Sequence, residues 1–263
     1  NTIVTAISPY IASDVPGNVF ISIKFNDCVF SQTKTLDPTS VLSVMVLPPS
    51  DNELILRISS TYRQAKEFKG KLLINQADGI KCNNETSFSI LANGNECYAK
   101  LQLSEKIAGS FSLGLELKTS NGETIVDIPQ KRYMVVESFS DGNIGEPVKT
   151  FSSIPDGNND IPASSSLTYT NSPEDGPNKV CAKLDYNTQQ GWRFFRVFPT
   201  VSNLIIGKPI SVRIWVAGDS KNNLGRLRFA DSDNEVFQPD YGTISNSNWN
   251  VYEAKLDGKN CGN

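Results

Sequence analysis

An all-β protein, built as two antiparallel β-sandwich domains in tandem, is what the sequence predicts, on three observations. Apolar and polar residues alternate at period two in run after run, the pattern of strands with one face in a core. Helical periodicity is almost absent. Turn dipeptides separate the runs: Asp78-Gly79, Asn93-Gly94 and Asn121-Gly122 each stand between two alternating stretches and tolerate the positive φ that tight turns demand. A chain of 263 residues exceeds the usual single-domain size, which favours two domains.

Taken in order, strands are expected in NVFISIKF (18–25), SVMVLPP (43–49), ELILRISS (53–60), GKLLINQ (70–76), ETSFSIL (85–91), CYAKLQL (97–103), GSFSLGLELKT (109–119) and KRYMVV (131–136). The segment TYRQAKEF (61–68) is too short for a helix of consequence and reads as turn and loop. Between about 138 and 178 the texture becomes rich in Gly, Pro, Ser, Asn and Asp, the composition of a linker or long loop. Interspersed Ile144, Val148, Phe151, Ile154, Ile161 and Leu167 favour ordered wrapping on a core over a free tether. From 179 the strands resume with KVCAKLDY, WRFFRVF, KPISVRIWVAG, LGRLRFAD, EVFQPDYG and NWNVYEAKLD. The resulting division is a lead-in or the tail of a preceding domain (1–38), a first sandwich (39–137) and a second (138–263) that opens with the long loop.

Composition bounds the chemistry. With 25 basic and 28 acidic residues the formal charge is −3, too balanced for long-range attraction to nucleic acid or an anionic membrane. The absence of histidine removes the commonest general base, the Ser-His-Asp and Cys-His mechanisms and most catalytic zinc sites. No apolar run approaches the roughly 18 residues of a membrane helix, so membrane insertion is not expected. The start at Asn1-Thr2 reads as a processed or excised segment, and Asn84-Glu85-Thr86 is a formal glycosylation sequon; together they point to an extracellular or cell-surface protein. The five cysteines, 28, 82, 97, 181 and 261, contain no CxxC pair. Cys82 with Cys97, which flank a loop-like stretch, and Cys181 with Cys261 are the expected disulfides; the other reading is buried thiols, and Cys28 has no assigned partner.

Part of the chain carries a resemblance. A strand ending Trp215-Val216-Ala217-Gly218-Asp219, a polar hairpin, an Arg-rich strand ending Phe229-Ala230-Asp231, the Phe237-Gln238 pair and the late Trp249 together resemble the galactose-binding-like β-jelly-roll domain of secreted bacterial glycosidases and surface proteins, over about 137–263. The resemblance implies a non-catalytic, carbohydrate-binding type of module with a structural calcium ion. Such domains have a further closing strand after the position of Leu256, so the expected jelly-roll is one strand short: either the chain is a fragment, or a strand is donated from elsewhere. More vaguely, GSFSLGLEL (109–117) leading to Pro129 and KRYMVV resembles the immunoglobulin-like sandwiches that precede such modules.

Within ISVRIWVAG, Ile210, Val212, Ile214 and Val216 share one face, and Ser211, Arg213, Trp215 and Ala217 the other. If the GDSKNN hairpin makes this strand the neighbour of GRLRFAD, the second face gathers Arg213, Trp215, Arg226 and Arg228, extended by Trp192 with Arg193 or Arg196. An indole plane beside guanidinium donors suits a sugar, whose C–H face stacks while its hydroxyls are hydrogen-bonded. The competing reading packs both tryptophans under the 138–178 loop and pairs the arginines with Asp219, Asp231 or Asp233. For calcium, the resemblance nominates Glu137 and Asp141 with a late partner such as Asp257, whereas Asp231, Asp233 and Glu235 read as turn residues. Glu116 and Glu123 have no second carboxylate that spacing places at the roughly 5–9 Å of a glycosidase pair, so the chain is not expected to be an enzyme. The function expected is therefore an accessory, glycan-binding module of an exported multidomain protein. The alternative is a surface-layer or fibre subunit that self-assembles through sandwich edges.

Overall fold

The computed structural model describes residues 17–25, 28–36, 42–60, 67–91, 95–107, 109–149, 151–157, 163–173, 175–188, 193–197, 207–230, 233 and 235–256; strands within 17–36, 151–157 and 193–197 are described by backbone alone. Every regular element among these residues is a strand, so the protein is all-β as its alternation predicts. In chain order they are β1 (Gly17–Phe25), β2 (Cys28–Leu36), β3 (Leu42–Val46), β4 (Glu53–Ser60), β5 (Glu67–Asp78), β6 (Glu85–Leu91), β7 (Glu96–Gln102), β8 (Ser110–Thr119) and β9 (Thr124–Met134). There follow β10 (Phe151–Gly157), β11 (Ala163–Asn171), β12 (Val180–Thr188), β13 (Arg193–Val197) and β14 (Ser211–Val216). The last are β15 (Asn223–Arg226), β16 (Phe229–Ala230), β17 (Val236–Phe237), β18 (Asp240–Ile244) and β19 (Asn250–Lys255).

From Leu42 to about Val135 the strands form one sandwich, with a three-stranded sheet β3-β4-β7 facing a four-stranded sheet β6-β5-β8-β9, all neighbours antiparallel. The period-two code explains it: Leu54, Leu56 and Ile58 of β4 point at Leu113, Leu115 and Leu117 of β8, and all six are at most 1 % exposed. Each such side chain contributes about 1.5–3 kcal/mol by leaving water. The turn chemistry also holds: Gly79 (φ +69) and Gly122 (φ +85) are left-handed, and Gly122 N–H closes the β8–β9 hairpin on the Thr119 carbonyl. Asn93-Gly94 lies outside the described residues.

Two boundaries differ from the sequence reading. β5 begins at Glu67, inside the stretch read as turn and loop, because Phe68 reaches the sandwich core. β9 begins at Thr124, seven residues before KRYMVV; Asp127 and Pro129 interrupt its apolar alternation, yet an edge strand tolerates both.

The remaining described strands pair as two-stranded antiparallel ribbons: β1-β2, β10-β13, β11-β12, β14-β19, β15-β18 and β16-β17. The Gly/Pro/Ser-rich segment contains β10 and β11 instead of running as loop throughout, and Val148 and Leu167 are buried in it, while Ile144 is exposed. Residues 145–148 pair along β11, since Val148 N–H bonds the Leu167 carbonyl and Tyr169 N–H the Glu146 carbonyl. The expected hairpin partnership of β14 with β15 does not form. β14 pairs instead with β19, Trp215 opposite Val251 and Arg213 opposite Glu253, and β15 pairs with β18. Ser220 and Asn222, both at positive φ, turn the chain away between β14 and β15, a conformation that short polar side chains accept.

Candidate functional site

The aromatic and arginine face read from the sequence is divided by this pairing. Arg213 and Trp215 remain together on β14, but they are turned toward the first sandwich. Trp215 Nε1–H donates to the Pro48 carbonyl (2.9 Å), Arg213 Nη1 donates to the Val46 carbonyl (3.2 Å), and Arg213 Nη2 bonds Glu253 Oε1 (2.7 Å). β3 is the edge strand of its sheet and ends at Val46, and the Val46 and Pro48 carbonyls there accept these side-chain donors. Burial alone would raise the Glu253 carboxyl, but the Ser211 hydrogen bond and the Arg213 charge hold it below its ordinary range. Arg226 stands on a different ribbon, paired with Asp240 (2.6 Å), and Arg228 is exposed beyond β15 with no ion pair among the described residues. Trp192 lies outside the described residues.

Around Glu137 and Asp141 the carboxylates already have donors. Glu137 Oε1 accepts the backbone N–H groups of Ser138 (3.0 Å) and Phe139 (3.1 Å). Asp141 contacts the Lys106 ammonium and accepts the Ser138 hydroxyl (3.0 Å). Lys106 also reaches Asp51 (3.1 Å) and Ser140 Oγ (2.8 Å). The cation that Asp141 meets here is therefore Lys106. The Lys106 hydrogen bond, against the effect of burial, holds the Asp141 carboxyl below its usual value; burial opposes the Lys106 charge, but the two aspartates outweigh it and raise its pKa. Asp257 lies outside the described residues, and among those described there is no group of three or more metal-ligating side chains. Asp233 and Glu235 are exposed between β16 and β17; Asp231 is outside the described residues.

The expected Cys82–Cys97 disulfide is corrected: Cys82, Cys97 and Cys181 are free, half-buried thiols, each pushed up by burial. Cys82 pairs with Leu103 just past β7, whereas Cys97 lies near the start of that strand, six positions away. At strand rise that separation is about 20 Å, against the roughly 7 Å that a disulfide spans. Cys28 opens β2, and Cys261 lies outside the described residues. Asn84 is exposed just before β6, so the sequon is accessible.

Sequence reasoning missed another polar constellation, formed where the turn after β14 meets β12. Tyr186 Oη–H donates to Asp219 Oδ2 (2.5 Å), and Asn223 Nδ2 donates to both Tyr186 Oη (2.6 Å) and Asp219 Oδ1 (3.0 Å). The Lys221 backbone N–H also donates to Asp219 Oδ1 (3.1 Å), and Lys221 Nζ lies 5.9 Å from the Tyr186 ring centroid. The Tyr186 hydrogen bond lowers the Asp219 carboxyl, while burial and that same bond raise the phenol, so at neutral pH the carboxylate is charged and the phenol protonated. Asp219, Lys221 and Asn223 are exposed. The available signal was the polar GDSKNN turn; that Tyr186, 33 residues away, would join it was not legible. An exposed carboxylate, amide, ammonium and aromatic ring within one hydrogen-bond network can exchange their mutual bonds for those of a hydroxyl-rich ligand.

The first sandwich offers an open recess of about 790 Å³ beside Lys69, Lys71 and Lys118, but each lysine is paired, with Glu67, Glu85 and Glu116 respectively. No family model, curated protein or solved structure matches this chain.

Proposed function

We propose that this chain is a non-catalytic accessory module of an exported multidomain protein, and that it binds carbohydrate through the turn-centred surface of its second half. The observation that carries the reading is the Tyr186–Asp219–Asn223 network, with its acceptor, donor and aromatic groups gathered at an exposed turn. Vicinal sugar hydroxyls donate and accept at once, so a carboxylate and an amide side by side answer them, and an adjacent ring offers its surface to the sugar's C–H groups. The location differs from the face first read from the sequence, because Trp215 and Arg213 are committed to the Pro48 and Val46 carbonyls. A glycan array followed by titration calorimetry of the best glycan tests it. Asp219→Ala and Tyr186→Ala should each lose binding at least tenfold, while Trp215→Phe keeps it; no bound glycan, or equal binding by Asp219→Ala, refutes the reading.

A second reading, a structural spacer within a surface assembly, is favoured by the same seam: Trp215, Arg213 and the Lys106 cluster fasten the ribbons to the sandwich at several points. Concentration-dependent assembly in light scattering, without glycan binding, would support it.

A further inference from the structure

The geometry points to a separate ligand site in the cleft where the first sandwich meets the β11–β12 hairpin, shaped to take one pyranose residue or the terminal sugar of a glycan chain. The half-open cleft holds about 730 Å³ between residues 51–52 on one side and 171–173 and 176–179 on the other, within the range of small-molecule sites, which favour such junctions. Its lining is amide-rich. Asn178 Oδ1 accepts the Asp51 backbone N–H (2.8 Å) and Asn52 Oδ1 accepts the Ser50 hydroxyl (3.4 Å). Each amide is thereby oriented with its Nδ2–H groups unpartnered among the described residues, as is the Asn171 amide. Pro173 and Pro177 add C–H surface, and no large aliphatic or aromatic side chain lines the space, which excludes an apolar ligand.

Beneath Gly176, at the cleft wall, polar groups lack partners. Trp249 Nε1–H is buried without an acceptor, and Ser172 Oγ has no oxygen or nitrogen partner, with only the weakly polar Cys181 thiol beside it. Both converge on the glycine: a Cβ there would stand 1.7 Å from Ser172 Oγ and 3.0 Å from Trp249 Nε1. Leaving a buried donor unsatisfied is costly, so these atoms favour an incoming hydroxyl once the hairpin adjusts around it. Asp51 shares the Lys106 ammonium with Asp141, and Lys179 at the rim has no ion pair among the described residues. With Asp51 in the lining and the exposed Asp175 beside Gly176, the site favours neutral sugars over acidic ones.

The site is distinct from the Tyr186 constellation, and its test is independent of that reading. In the ¹⁵N-labelled chain the three tryptophans supply indole N–H resonances, assigned by Trp249→Phe and Trp215→Phe. Glucose, galactose, N-acetylglucosamine and glucuronate are titrated in turn to high millimolar concentration. At least one should shift the Trp249 resonance saturably and leave Trp215 in place. Asn171→Ala, which removes an exposed and otherwise unbonded amide, should weaken that sugar roughly five- to tenfold. Gly176→Val should abolish the shift with the Trp215 resonance unmoved, and Tyr186→Ala should leave it intact. No saturable shift with any of the four sugars, or equal affinity in Asn171→Ala and Gly176→Val, overturns the inference and leaves water as the occupant.

Discussion

Between Leu42 and Val135 the chain closes two sheets around Leu54, Leu56, Leu113 and Leu117, none of which is exposed at all; beyond Phe151, only Leu167, Pro239 and Ala254 are buried among the described side chains. The strand-forming residues are of similar type in both regions, so strand propensity is not the difference. What differs is how many apolar faces look at one another. In the sandwich, β4 and β8 each present an unbroken apolar row to the opposite sheet, while β14 has every residue half-buried and spends Arg213 and Trp215 on carbonyls of its neighbour. Hydrophobic burial holds the first region together, and directional polar contacts fasten the second to it.

The sharpest way to break this comparison is to hollow the sandwich. Leu115→Ala, at a fully enclosed position, should cost about 2–5 kcal/mol in urea denaturation, with a further term for the cavity left behind. The same truncation at Leu167 should cost only about 1–2 kcal/mol, because fewer buried neighbours lose contacts there. Equal losses would mean the ribbons possess a core as dense as the sandwich. Trp215→Phe keeps most of the apolar bulk but removes the N–H that bonds Pro48; a loss of about 1 kcal/mol is expected, together with a wider distribution of shapes in small-angle scattering.

The Lys106 cluster sharpens the comparison through pH. Asp141, its carboxyl lowered below 3.8 by Lys106, stabilises the fold above that value and loses its contribution as pH falls through the depressed pKa. Lys106, raised above 10.5 by Asp141 and Asp51, contributes fully below that value and loses its contribution as pH rises through the elevated pKa. The stability difference between wild type and Lys106→Met, about 1 kcal/mol or less for so accessible a cluster, should therefore be widest from pH 4 to 10 and shrink on either side. A difference that stays equally large below pH 4 and above pH 10, measured by thermal melts, would argue that Lys106 acts by packing alone. Smallest of all, Arg226→Ala should change stability by no more than about 0.5 kcal/mol, since its pair with Asp240 is open to solvent.

Much of the fold was legible because a strand's face is a local property. Alternation in ELILRISS and SFSLGLELKT identified the two inward rows, and Asn121-Gly122 marked the turn from β8 into β9. Errors arose where local pattern and long-range partner disagree. Pro129 hid β9, which as an edge strand has room for it, and adjacency in sequence suggested a β14–β15 hairpin where closure of the chain pairs β14 with β19. Cys82 and Cys97 looked joined because they flank one loop, yet the intervening strand holds them at different positions along β7. In the second half the expected grouping of Trp215 with Arg226 did not form, since strand pairing puts them on different ribbons, and the Tyr186, Asp219 and Asn223 network was not read from the sequence.

By itself, then, the amino-acid order determined the all-β class, the alternating faces of β4 and β8, and the positive-φ turns at Gly79 and Gly122, because these depend on neighbours two to four residues away. Only the tertiary structure decided which strands are partners, that Trp215 faces Pro48, that Lys106 meets Asp141, and that Tyr186 joins Asp219. Those meetings close loops of tens of residues, and whether a loop closes depends on the summed burial and hydrogen bonding of the entire assembly.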